Sequence, residues 1–264
     1  MTTNSADAIT DIALNAGSIV LENGGETYRT EDTIMRIASS LGALSPSSFV
    51  TPTVVMLSFT DMQGRHHSSM RRIKKRGLNL RKVALINSLS RRLESRKRAG
   101  KTADFLQTSY VLERIQASKR YTDSAVLAAA SCSSLFFAFM FAGSFKDALA
   151  AAVIGFILRF IVIRLEKLSL NGFILSLSYG GLISVLTELV SVLGCIDSPL
   201  IVTSAVLMQV VPGLAIVNAI RDIIAGDLVS GAARVLEAFM IAAGLSAGSV
   251  LGIFVFSGIT GALL

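Results

Sequence analysis

The sequence predicts an α-helical polytopic membrane protein, in which five transmembrane helices follow an N-terminal cytoplasmic α/β domain. Three observations carry this expectation. From Tyr121 onward the chain is a nearly unbroken series of apolar stretches of Ala, Val, Ile, Leu, Phe and Gly. Of its 25 Lys and Arg residues, 19 lie in residues 1–120 and 6 in residues 121–264. Residues 1–120 mix helical and strand periodicities, as a water-soluble fold would. The expected domains are therefore a basic cytoplasmic α/β domain over 1–120 and a transmembrane domain over 121–264.

Composition supports the class. The chain is 52% apolar with a mean hydropathy of +0.63, and 16% of it is charged, against about 25% in soluble domains. The first 120 residues carry 19 basic and 10 acidic groups, a formal +9, and the remainder 6 and 8, a formal −2. A basic domain tied to a membrane suits an anionic cytoplasmic leaflet. No nucleic-acid motif accompanies the charge, so nucleic acid is not an expected partner. Cys132 and Cys195 have no metal-ligand spacing and suggest neither a disulfide framework nor a zinc site. Residues 1–10 are polar and lack the apolar core of a secretory signal. The first 120 residues are thus expected to stay untranslocated.

In chain order, Ile9, Ile12, Ala13, Ala16, Ile19 and Val20 recur at helical spacing, which predicts an amphipathic helix over 7–22. Asn23, Gly24 and Gly25 should end it. Thr30 is expected to cap the next helix, with Glu31 and Asp32 in its first turn. That helix presents Ile34, Ile37, Ala38 and Leu41 and stops at Gly42. Residues 49–59 read as one strand, 61–64 as a hairpin turn and 65–73 as the return strand. Asn79 can cap a helix carrying Val83, Leu85, Ile86, Leu89 and Leu93. Thr102 can cap another carrying Phe105, Leu106, Leu112 and Ile115.

Five spans are expected over 123–141, 147–163, 172–194, 199–220 and 228–256, against the roughly 20 residues a bilayer core requires, and the fifth is long enough to tilt or to break near its glycines. The second carries Arg159, which can snorkel to the interface. Placing the N-terminal domain inside also puts Arg164, Lys167 and Arg221 inside and leaves Lys146 outside, which satisfies the positive-inside bias. An odd span count then places Leu264 outside. The expected location is the bacterial inner membrane.

Several residues could carry chemistry. Pro212 and Gly213 interrupt the fourth span. Pro212 lacks a donor and clashes with the preceding turn, which fits either a kink repacked by neighbours or a broken helix at a substrate path. Asn218, Arg221, Asp222, Arg234 and Glu237 are further substrate-path candidates, with interfacial anchoring as the alternative. Arg234 and Glu237 share a helix face and could pair. Glu188 lies well inside the third span. A carboxylate there is costly unless protonated, paired or wetted, which makes it the proton-coupling candidate. Gly244, Gly248 and Gly252 recur every fourth residue and should let another helix approach closely. His66 and His67 are neighbours on a strand and face opposite ways, a poor geometry for one metal. The basic run Arg71, Arg72, Lys74, Lys75 and Arg76 reads as a solvated or lipid-facing surface. No nucleotide loop, kinase set or nucleophile elbow is present. No catalytic residue, cofactor or metal is implied, and the chain is not expected to be an enzyme.

Two stretches go further than pattern. Residues 21–33, containing Asn23, Gly24, Glu26, Thr27, Arg29, Glu31 and Asp32, resemble a signature of the threonine/serine exporter family. Residues 211–234, with Pro212, Gly213, Asn218, Arg221, Asp222, Gly226, Asp227, Ser230, Gly231 and Arg234, resemble its second hallmark. The resemblance spans nearly the whole chain. It implies export of a small metabolite, driven by the proton gradient. Threonine and serine are the namesake substrates, and split-form members are associated with dicarboxylates such as succinate. The family occurs as one fused protein of about ten spans or as two chains. This chain looks like the larger subunit of the split form, whose partner is a second, short membrane protein. Two oppositely oriented five-span halves would be inverted repeats, the arrangement that supports alternating access. A higher oligomer is compatible with this. The N-terminal motif could form a cytoplasmic vestibule or gate, or could be a helix-stop and helix-start junction with its caps. Two other readings remain open, a membrane-embedded enzyme with a catalytic N-terminal domain and a non-transporting scaffold or sensor.

Overall fold

The structure, a computed structural model, describes residues 3–74, 77–118, 121–165 and 171–261. Its elements are α1 (Thr3–Glu22), α2 (Thr27–Ser40), β1 (Leu44–Thr51), β2 (Val54–Thr60), β3 (His66–Arg72), α3 (Leu80–Arg98), α4 (Phe105–Ala117), α5 (Asp123–Met140), α6 (Phe145–Leu165), α7 (Gly172–Val192), α8 (Pro199–Leu207), α9 (Gly213–Ile224) and α10 (Leu228–Gly261). The chain forms two compact units, residues 1–120 with 214–235 and residues 121–213 with 236–264. The stretch 214–235, assigned from sequence to the membrane half, thus groups with the first unit.

In the first unit, α1 is the central element. Ile9, Ala13, Ala16, Ile19 and Val20 are all buried, along the periodic face expected for an amphipathic helix. Gly17 lets α2 approach closely, since a Cβ there would meet the Ile34 side chain at 2.4 Å. Helix α1 ends as expected at Asn23 and Gly24, the latter at φ +94°, a conformation glycine adopts without strain. Asn79 caps α3 by accepting from the Lys82 amide at 3.3 Å.

Three local expectations are corrected. Residues 49–59 are two strands, because the chain turns at Pro52 and Thr53. Proline cannot donate to a ladder, so a hairpin turn accommodates it better than a strand centre. The sheet is therefore three-stranded and antiparallel, in order β1-β2-β3. Val55, Leu57 and Phe59 of β2 face the core. Thr30 lies inside α2, which starts three residues earlier at Thr27, and its hydroxyl donates to the Glu26 carbonyl. The cap of α4 is Asp104, which accepts from the Leu106 and Gln107 amides, and Thr102 lies before it.

The turn between β2 and β3 is organised by Asp61, whose side chain is fully buried. Its carboxylate accepts from the Gln63 and Arg65 amides, the Arg65 guanidinium and His67 Nε2, each at 2.9 Å. Burial alone would push this carboxyl up, but the His67 and Arg65 bonds outweigh it and hold it well below the usual range. A depressed carboxyl contributes stability above its unfolded value of about 3.9 and loses it as pH falls further. Asp61→Asn is thus expected to lower the urea midpoint of unfolding at neutral pH. The gap from the native chain should close as pH falls below about 4, and a gap that persists unchanged in acid would contradict this account. Of the adjacent basic run, Arg71 bonds Asn15 Oδ1 at 3.1 Å, and Lys75 and Arg76 lie outside the described residues.

The second unit has its own apolar core, centred on Ala151, Ile154, Leu158, Ile183, Val202 and Ala205. Thr122 caps α5, and Asn171 caps α7. Asp147 of α6 is buried, and its Oδ1 accepts from the Asp197 and Ser198 amides at 2.9 and 3.0 Å, which ties the segment leading into α8 to α6. The glycines of α10 pack against α7 as expected. A Cβ on Gly248 would lie 2.0 Å from the Leu177 carbonyl oxygen, and one on Gly252 2.6 Å from that of Gly181.

The fourth expected span, 199–220, is not one helix. Helix α8 has 9 residues and ends at Leu207, and α9 restarts at Gly213 with 12. Pro212 cannot donate to a continuing helix, and at about 1.5 Å per residue neither piece reaches across a 30 Å core. Among the described residues four helices are long and apolar enough to cross a membrane, over Asp123–Met140, Phe145–Leu165, Gly172–Val192 and Leu228–Ile259. Lys167 and Leu264, used in the expected orientation, lie outside the described residues.

Candidate functional site

In the first unit the two sequence motifs meet. Helix α9 is amphipathic in an inverted sense. Asn218, Ala219 and Asp222 are buried, while Ile216, Val217, Ile220 and Ile224 are exposed. Asn218, Arg221 and Asp222, spaced three and four apart, fall on one face, and that face engages the turn 24–26 and the start of α2. The α2 N-cap residue, Glu26, makes no side-chain cap bond. Asp222 takes that role from 195 residues away. Its Oδ1 accepts from the Thr27 amide and its Oδ2 from the Thr27 hydroxyl, both at 2.9 Å. A carboxylate at a helix N-terminus satisfies an orphan donor and complements the dipole.

The remaining contacts surround this one. Arg234 pairs with Asp222, Nε to Oδ2 at 3.1 Å, and donates to the Gly25 carbonyl at 3.0 Å. Asn218 donates to the Gly24 carbonyl at 3.0 Å. Glu26 is clasped by Arg221 on one oxygen and by Arg29 on the other, the latter at 3.1 Å. Glu31 accepts from the Val50 amide at 2.8 Å, and Ser230 donates to the Val50 carbonyl at 3.3 Å. Asp222 and Arg234 are almost completely buried, with side-chain exposures of 0% and 7%.

Electrostatics divide the acids. Burial would raise the Glu26 carboxyl, but Arg221 and Arg29 outweigh it and hold it below its ordinary value. Glu31 is pushed up by burial, partly offset by the Val50 amide and reinforced by the charges of Asp227 and Asp222. Asp227 is pushed up by burial and by Asp222. Glu26 is thus held ionised, while Glu31 and Asp227 keep their protons to higher pH.

Not every expected site residue joins this assembly. Asn23 bonds the Ile19 carbonyl at 2.7 Å and serves the helix stop. Asp32 pairs with Arg36 on the surface at 2.6 Å. Pro212 and Gly213 lie at the α8–α9 break. Glu237 lies further along α10, in the second unit, and is exposed. Among the described residues no His, Cys, Asp and Glu group could hold a metal ion.

The second unit places Glu188 at a cavity of about 660 Å³ formed by α7, α8, α10 and Val211. Ser184, Thr203, Ser204, Ser246 and Ser249 line it together with apolar side chains. The Ser184 hydroxyl is buried and finds no hydrogen-bond partner among the described residues. The Gln209 amide, in the α8–α9 break, donates to Ser134 Oγ and to the Ala130 carbonyl, while its own oxygen is buried and unpartnered among the described residues. The sequence reading did not single out these hydroxyls or Gln209. Their available signal was helical spacing, since Ser184 and Glu188 are four apart and Ser246 and Ser249 three apart.

A family model described as "Putative threonine/serine exporter" matches residues 11–256. No curated protein and no solved structure matches the chain.

Proposed function

We propose a function from one premise, that this chain belongs to the threonine/serine exporter family. It is a multi-pass membrane protein of a transporter family, and its activity is export of threonine or serine down a path coupled to the proton gradient. The coupling group is Glu188. The observation that carries this is the cavity of about 660 Å³ among apolar helices, with a carboxylate and a buried serine hydroxyl, unpartnered among the described residues, on its wall. A carboxylate and unspent hydrogen-bonding groups are expensive in such surroundings and are retained where something binds. The clasp in the first unit has a holding role, tying the 211–234 motif to the α2 N-terminus. The first unit is cytoplasmic, and a second, short membrane subunit completes the path.

The test is efflux from vesicles containing both subunits and loaded with threonine or with succinate. Threonine efflux is expected to quicken when a proton gradient is imposed, and in Glu188→Gln it should lose that response. A full response in Glu188→Gln would remove Glu188 from the coupling. Efflux of succinate in place of threonine would move the substrate to the dicarboxylates. Full-rate export by this chain alone would remove the second subunit.

A further inference from the structure

The cavity has a charge pattern that the exporter reading does not itself specify. Among its described lining residues Glu188 is the one titratable group. Helix α8 contributes Thr203 and Ser204, α10 contributes Ser246 and Ser249, and neither brings a charged side chain to the lining. Among the described residues Glu188 makes no ion pair and no side-chain hydrogen bond. A site for a dianion needs cations or clustered N–H donors, and this lining offers a carboxylate and hydroxyls. Its complement is an ammonium group attached to a small body that carries a further hydrogen-bonding group.

We infer that this cavity is a binding site for a small protonated amine, with the ammonium held by Glu188 and a ligand hydroxyl taken by the Ser184 side. The inference rests on the exporter reading for the size and class of ligand and adds to it where and how that ligand is held. A consequence follows from charge balance. The Glu188 carboxylate can hold a proton or the ammonium, but not both. The exchange is R–NH3+ plus protonated Glu188 giving the ammonium–carboxylate pair plus one free proton. For an amine with no carboxylate of its own, such as threoninol, the cavity carries no net charge on either side of it. One carboxylate that cannot hold both partners couples outward movement of the amine to inward movement of a proton.

Ser184 supplies the second contact. Its buried hydroxyl, unpartnered among the described residues, gains a hydrogen bond when a ligand hydroxyl arrives.

The experiment is calorimetric binding to the full chain in nanodiscs, with threonine, threoninol, N-acetylthreonine, 2-aminobutyrate and succinate as probes. Threoninol has the amine and hydroxyl but no carboxylate. It is expected to bind with threonine, while N-acetylthreonine and succinate bind about tenfold more weakly or worse, the loss expected for a charge-assisted bond. Threoninol binding should weaken as pH falls, because threoninol stays protonated and Glu188 takes up the competing proton. Ser184→Ala, a small change that leaves the helix intact, should erase the preference for threonine over 2-aminobutyrate, while Glu188→Gln should remove amine binding. Succinate or N-acetylthreonine binding as tightly as threoninol, pH-independent binding, or no saturable binding of either amine would overturn the inference. Failure of the exporter reading is distinguishable, since it would show amine binding without efflux from the vesicles.

Discussion

Asp222→Ala is expected to destabilise the first unit by about 3–5 kcal/mol, the range for removing one partner of a buried ion pair. Three losses coincide in this variant. The Arg234 guanidinium, 7% exposed, loses the Asp222 carboxylate. The Thr27 amide becomes an orphan donor at the start of α2, and the Thr27 hydroxyl loses its acceptor. The chain has two units, so a single unfolding midpoint is a poor readout. Hydrogen exchange at the Thr27 amide reports this site directly and should rise by several orders of magnitude. Asp32→Ala serves as the control, because the Asp32–Arg36 pair is a surface i,i+4 contact worth at most about 0.5 kcal/mol. Combining Asp222→Asn with Arg234→Gln should recover part of the loss, since no isolated charge is then left buried. If Asp222→Ala and Asp32→Ala proved equally mild, the clasp would not hold the two motifs together.

The same clasp shows how far local pattern reaches. The helix stop at Asn23 and Gly24, the Asn79 cap and the 61–64 turn are legible because each is decided within a few residues. The errors are local competitions between similar signals. Thr102 and Asp104 are both acceptable caps, and which one serves depends on where the α4 core face begins. Pro52 marks a turn inside a Val- and Thr-rich stretch whose strand composition dominated the reading. The union of 23–31 with 218–234 is of another kind. Spacing puts Asn218, Arg221 and Asp222 on one face, but nothing in a single chain's pattern says what that face meets 195 residues away. The sequence also read 199–220 as a span on hydropathy, although this stretch contains Gln209, Pro212 and Asn218. The missing donor of Pro212 keeps α8 from continuing into α9, and Asn218 lies on the polar side that α9 buries. Glu188 stood out as a charge in an apolar stretch. Ser184, Thr203, Ser246 and Ser249 did not, because a helix hydroxyl can also satisfy itself on the preceding turn's carbonyl. Ser176 does this with the Gly172 carbonyl at 2.8 Å.

Gly248→Ala is expected to be the most damaging of four glycine replacements along α10, and the order can be derived before any is made. Alanine favours a helix over glycine by about 1 kcal/mol, so a replacement without a steric conflict should be neutral or stabilising. Gly258 has nothing within 4 Å of an added Cβ and meets that condition. Gly244 would place a Cβ 2.9 Å from the Phe173 carbonyl oxygen, Gly252 2.6 Å from that of Gly181, and Gly248 2.0 Å from that of Leu177. These obstacles are backbone atoms and cannot swing away like the end of a side chain. Helix α7 must therefore move back, which opens the packing around Gly180, itself so close that its own Cβ would meet the Leu245 carbonyl at 2.1 Å. Overpacking of this kind costs about 1–3 kcal/mol or more and exceeds the propensity gain. Thermal stability in detergent, read by size-exclusion chromatography, should fall in the order Gly258→Ala, Gly244→Ala, Gly252→Ala, Gly248→Ala. A flat series would mean that α7 and α10 do not pack through these glycines. Because Ser184 lies on α7 and Ser246 and Ser249 on α10, a Gly248→Ala protein that survives should also lose amine binding in step with its stability.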